Sequence, residues 1–116
     1  MTRFTLKRPE PKEADVLKAV LTALSMHPRV AWAQRMNSGA GKVQRAGGVS
    51  QFMRWGFVGC PDVLGQLRDG RTLAVECKRP SGKPTPEQIA FLRCVRANGG
   101  VALVARSVDD LLEALA

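Results

Sequence analysis

A chain of 116 residues, 45% of them hydrophobic and 24% charged, has the balance of one globular domain and on the usual scaling buries roughly two-thirds of the surface its unfolded form exposes. No apolar run approaches the roughly 20 residues of a membrane span, and the start MTRFTLKRPEPKE has no apolar signal core, so membrane and secreted classes are not expected and a cytoplasmic location is. Eighteen Lys and Arg against ten Asp and Glu leave a net charge of +8, which favours a polyanionic partner because each phosphate neutralised by a cation releases counterions.

Residues 1–9 are basic and aperiodic, which predicts a flexible arm able to touch nucleic acid, with residues 10–116 forming the domain. From Pro11, a favoured first helical residue, Ala14, Leu17, Val20, Leu21 and Leu24 recur at helical spacing until His27-Pro28 ends the pattern. VAWAQRM, Val30 to Met36, alternates as a strand, and NSGAGK, residues 37–42, reads as a glycine-rich loop. Val43 to Phe57 is basic and is read as a short hairpin turning at Gly47-Gly48. Asp62 to Leu67 and Thr72 to Lys78 are strands joined through RDGR, and RPSGKP is a basic loop. Thr85 caps a helix that begins with Pro86, carries Gln88 at the capping-box position and stops before Gly99-Gly100. VALVA, Val101 to Ala105, is a continuous apolar run and therefore a buried strand, and Ser107 with Asp109 and Asp110 opens a last helix. The order α-β-β-β-α-β-α predicts an α/β fold with a central mixed sheet flanked by helices. Cys60, Cys77 and Cys94 stand far apart with no C-x-x-C pair, against a disulfide framework or a zinc site.

The register of the two central strands decides where their acids go. A two-residue Asp-Gly turn in RDGR would split the apolar set between both faces of the hairpin. A three-residue loop with Gly70 in the left-handed position instead gathers Val63, Leu67, Leu73, Val75 and Cys77 on one face. Asp62 then lies directly across from Glu76, on what is expected to be the wetter face, with Cβ atoms about 4.5 to 5.5 Å apart.

Two ionised carboxylates at that distance repel unless one is protonated or a cation lies between them. Oxygen ligands of this kind suit Mg²⁺ or Mn²⁺ with substrate phosphate oxygens. Lys78, two residues beyond Glu76 on the same face, would orient a water or stabilise developing negative charge. Taken singly, each of these residues reads as a solvated strand position; together they read as a metal-dependent phosphodiesterase site.

These residues resemble the PD-(D/E)XK nuclease superfamily, and more closely its VRR-NUC (virus-type replication-repair nuclease) branch. The likeness runs from about Glu13 to the C-terminus and rests on MNSGA at Met36 to Ala40, GCPD at Gly59 to Asp62, ECKRPSGKPTPEQ at Glu76 to Gln88 and NGGVALVARS at Asn98 to Ser107. It implies a restriction-endonuclease-like fold and Mg²⁺- or Mn²⁺-dependent cleavage of DNA, with Asp62, Glu76 and the carbonyl of Cys77 as metal ligands and Lys78 catalytic. Stand-alone members of this size look like phage or prokaryotic proteins that form dimers and cut branched DNA such as four-way junctions. The family often sets a further acid on the first helix; Glu13, at the edge of the apolar stripe, fits that role, Glu10 could serve equally, and stabilisation of the helix dipole is the competing reading. Gln88 is either a capping-box residue or, as the resemblance implies, a group near the active site.

Asn37, Ser38 and Gly39 could offer donors to a phosphate, and Lys42, Arg45, Arg54, Arg79 and Lys83 are candidate contacts to a nucleic-acid backbone. Trp32, Trp55, Phe57 and Phe91 are expected in the core or at a dimer surface, and His27 in a structural role. The leading reading is therefore a DNA endonuclease, with a homodimer needed to cut two strands of a symmetric junction. A non-catalytic basic DNA-binding module competes with it, and cleavage of RNA is a third possibility.

Overall fold

A computed structural model describes residues 8–36, 39–44 and 50–116, with the backbone alone for 39–44 and 50–55. Three helices, α1 (Glu13–Met26), α2 (Pro86–Ala97) and α3 (Val108–Ala114), accompany six strands: β1 (Val30–Arg35), β2 (Gly39–Gln44), β3 (Ser50–Trp55), β4 (Val63–Leu67), β5 (Thr72–Cys77) and β6 (Val101–Ala105). β1, β4, β5 and β6 form a four-stranded sheet in the order β1-β4-β5-β6, antiparallel except for the parallel pair β5/β6. β2 and β3 pair with each other in a separate antiparallel sheet.

The hairpin expected within Val43 to Phe57 is the β2/β3 pair, which starts earlier, at Gly39, and adds two strands to the order α-β-β-β-α-β-α. Gly39 to Lys42, read as loop because of its glycines, is part of β2; the cross-strand ladder with β3 overrides the weak strand propensity of glycine there. The turn read at Gly47-Gly48 and the arm of residues 1–7 lie outside the described residues.

Helix α1 starts two residues later than Pro11 suggested, with Lys12 at its N-cap and no side-chain cap. Its buried stripe is Val16, Val20 and Leu24, supported by Leu17 and Leu21, while Ala14 is exposed. Helix α2 begins as its sequence predicts: the Thr85 side chain accepts from the Gln88 N–H, and the Gln88 side chain accepts in return from the Thr85 N–H.

The β4/β5 pairing sets Val63 against Val75 and Gln66 against Thr72. Leu67 N–H donates to Arg71 O at 2.8 Å, so the loop is Arg68-Asp69-Gly70, with Gly70 at φ +94°. This is the longer loop expected, and its physical reason is visible in the packing. Val63, Leu67, Leu73, Val75 and Cys77 share one cluster with Val16, Val20 and Leu24 of α1 and with Leu111 and Leu115.

The opposite face is not wet. Helix α2, the crossover between the parallel strands β5 and β6, lays Leu92 and Val95 against Ala74 and Ala102, with Leu64, Phe91 and Val104 at the margin. Glu76 stands on this covered face and is 2% exposed. Among the described residues no helix is long and apolar enough to cross a membrane.

Candidate active site

Three elements deliver three carboxylates to one end of the sheet. Continuing the β4/β5 register by one residue sets Asp62 opposite Glu76, and the Cys77 N–H donates to Asp62 Oδ2 at 2.7 Å. Glu13, the first residue of α1, supplies the third, and one oxygen from each of Glu13, Asp62 and Glu76 lies within 4.8 Å of the others. Lys78 reaches into the same cluster, its Nζ 3.2 Å from Glu13 Oε1 and 3.7 Å from Glu76 Oε1.

Local sequence explains how each group arrives. In GCPD, Gly59 adopts φ +83°, and a Cβ there would sit 2.5 Å from the carbonyl oxygen of Glu87, so only glycine lets this segment pass under the first turn of α2. Cys60 and Pro61 are then buried, and Asp62 is presented at the head of β4. Gln88 serves two groups with one amide: its Oε1 accepts from the Thr85 N–H at 2.8 Å, and its Nε2 donates to Glu76 Oε1 at 3.1 Å. The cap and the contact with the acid, alternatives at the level of sequence, coexist.

The electrostatics single out Glu76. Burial, reinforced by the charge of Asp62, pushes its carboxyl up to about 8 against the opposing pull of Lys78. Its Oε1 has Gln88 and Lys78, whereas its Oε2 is buried with no hydrogen-bond partner. A buried orphan oxygen on a carboxylate is costly to leave unsatisfied. When all four groups are ionised, three carboxylates against one ammonium leave two negative charges, which a divalent cation balances. The donors are all oxygen and suit Mg²⁺ or Mn²⁺. The residues present therefore fit such an ion. Cys77 is wholly buried and its thiol is pushed up to about 12 by burial and by the nearby acids, so its side chain is inert packing.

The remaining candidates divide. Arg79 and Lys83 are exposed on the loop after Lys78 and line a cleft beside the acids. Lys42 and Arg54 lie on β2 and β3, where the backbone alone is described, and Asn37, Ser38 and Arg45 fall outside the described residues. Glu10 does not join the acids: its carboxylate accepts from the Ser81 N–H and from Ser81 Oγ, the latter at 2.9 Å. Trp32 is not a core residue; it is 52% exposed, with its indole N–H donating to Gln66 Oε1 at 3.1 Å. Phe57 packs on Phe91 with ring centroids 5.0 Å apart, over the margin of the α2 cluster. His27 is structural, its Nδ1 accepting from the Arg29 N–H at 3.1 Å. Lys12, Ser81 and Arg106 were not singled out by sequence, and only their tertiary contacts reveal them.

No family model and no solved structure matches the chain. Among curated proteins, one named "Putative nuclease p44", from Acyrthosiphon pisum secondary endosymbiont phage 1, is 38% identical over 69 residues, covering 59% of this chain and 74% of the phage protein.

Proposed function

The chain belongs to the family of the phage protein named "Putative nuclease p44", and from that premise we propose that it is a divalent-metal-dependent nuclease of the VRR-NUC type, with a restriction-endonuclease-like fold, that hydrolyses phosphodiester bonds of DNA. The observation that carries the proposal is the convergence of Glu13, Asp62 and Glu76 from three separate elements, one of them, Glu76, holding a buried carboxylate oxygen with no partner. A binding module would gain nothing from burying Glu76 beside Asp62; the desolvation and repulsion are a cost that a reaction site explains.

In this proposal Glu13, Asp62, Glu76 and the carbonyl of Cys77 are the groups that would hold Mg²⁺ or Mn²⁺. Such an ion, when bound, supplies charge to neutralise the phosphodiester and to acidify a water. The Cys77 N–H fixes one oxygen of Asp62, and the Gln88 amide fixes Oε1 of Glu76, leaving Oε2 free to act. Lys78, a compact cation between Glu13 and Glu76, is placed to stabilise negative charge developing on the phosphate. Asn37, Ser38, Lys42, Arg45, Arg54, Arg79 and Lys83 are proposed contacts to the nucleic-acid backbone. Residues 10–116 act as the nuclease domain and residues 1–9 as a basic arm.

The preferred substrate is proposed to be branched DNA such as a four-way junction, cut by a two-fold dimer because one site serves one strand. The test incubates labelled four-way junction, flap, duplex, single strand and an RNA duplex with Mg²⁺, Mn²⁺ or EDTA. Metal-dependent cleavage of DNA, lost in Glu76→Gln and Lys78→Ala while binding persists, is expected. Cleavage unchanged in either variant would refute the assignment, and sedimentation as a monomer on the junction would refute the dimer.

A further inference from the structure

Beside the acids lies a cavity of about 360 Å³ lined by Lys12, Glu13, Lys78, Arg79, Gly82 and Lys83, four cations against one acid. Glu13 and Lys78 belong to both the acid cluster and this cavity, and they pair with each other at 3.2 Å. The other three charged groups are cations. None of Lys12, Arg79 and Lys83 takes part in a salt bridge among the described residues.

Four cations around one space, with Glu13 on its wall and Glu10 close to Arg79, keep an excess of positive charge that an entering anion offsets. The N-terminus of α1 adds to the positive field, since Lys12 sits at its N-cap and no side chain caps it.

The wall opposite α1 is braced. Ser81 is held by the Glu10 carboxylate through both its N–H and its hydroxyl. The Gly82 N–H donates to Arg79 O at 2.9 Å, and Arg106 Nη2 donates to Gly82 O at 3.0 Å. Ser81 holds the Glu10 carboxyl below its ordinary value, so this brace stays ionised under ordinary conditions. At Gly82 a Cβ would come within 3.2 Å of Arg79, which leaves the loop little room to adopt another side chain at that point. Contacts from the segment before α1 and from the end of β6 thus fix the loop that carries Arg79 and Lys83.

We propose that this cavity is a second phosphate subsite, in which Lys12, Arg79 and Lys83 hold the phosphodiester next to the one undergoing cleavage, with Glu10 and Arg106 as positioning residues for the loop. The ligand is a polynucleotide, because the cavity is joined to the acid cluster through Glu13 and Lys78, so one continuous backbone spans both. The inference rests on the nuclease reading for its substrate class, but not on any metal.

The experiment measures binding of a short labelled DNA duplex by fluorescence anisotropy in EDTA, where no cleavage occurs, over a series of salt concentrations. Lys12→Ala and Lys83→Ala should each lower the slope of log affinity against log salt by roughly 0.9 and weaken binding roughly fivefold to tenfold at about 0.1 M salt. Lys12→Arg should restore the slope, and Lys18→Ala and Arg93→Ala, exposed cations away from the cavity, should leave it unchanged. Slopes in the Lys12 and Lys83 variants equal to those controls would overturn the subsite. Displacement of the duplex by inorganic phosphate at micromolar concentration would also overturn it, because a free-anion pocket needs no polynucleotide. Failure of the nuclease reading would show separately, as the absence of metal-dependent cleavage by the unaltered protein.

Discussion

At the scale of single residues, Glu76 carries the tension of the molecule. Its carboxyl, pushed up to about 8 from an ordinary 4.5, binds a proton more tightly in the folded than in the unfolded chain. Its contribution to stability is therefore complete below pH 4.5 and is lost as pH rises through 8. Metal-free protein should show a melting temperature that falls across this window in excess of any change in Glu76→Gln, as read by calorimetry; identical pH profiles would contradict it. Addition of Mn²⁺ near pH 8 should raise the melting temperature of the unaltered protein by mass action, and much less that of Glu76→Gln. Gln88 makes a second case. Gln88→Glu can still cap α2, yet it sets another carboxylate against Glu76 Oε1, where the amide now donates at 3.1 Å. Helix content should be retained in circular dichroism while metal affinity or cleavage drops roughly 10- to 100-fold, the usual effect of removing a group that orients a metal-binding acid.

The elements matter as carriers of these side chains. The β4/β5 hairpin sets Asp62 against Glu76 through a three-residue loop, and α2 covers the pair. Gly59 and Gly70, both with positive φ, do different jobs. At Gly70, φ +94°, a Cβ would meet nothing within 4 Å, so substitution strains only the backbone. At Gly59, φ +83°, a Cβ would also collide with the backbone of Glu87, so the segment leading to Asp62 would have to move away from α2. Gly59→Ala should cost roughly 1–3 kcal/mol in urea denaturation, and Gly70→Ala less, since only the first adds a collision to the strained conformation. A comparable loss at both positions would show that backbone strain alone decides. The β2/β3 pair stands apart from this frame, a two-stranded sheet set into the chain between Met36, whose N–H donates to Asp62 O at 2.7 Å, and the turn that leads into Asp62.

For the molecule as a whole, the amino-acid sequence was enough to determine β1, β4, β5 and β6, the capped start of α2 and the facing of Asp62 and Glu76. These follow from rules that act over a few residues: apolar alternation selects one register, and Thr85, Pro86 and Gln88 mark a helix start wherever the rest of the chain lies. Tertiary structure alone decided the rest. Glu13 rather than Glu10 meets the other acids because α1 begins at Glu13 over the end of β5, while Glu10 is drawn to Ser81. Glu76 is buried rather than wet because the crossover helix covers its face, and Lys12 becomes part of a basic cavity only when residues from opposite ends of the fold's connections are brought side by side. Local patterning fixes which way a side chain leaves its own strand or helix; what it then meets depends on contacts between segments remote in sequence, which only the folded chain brings together.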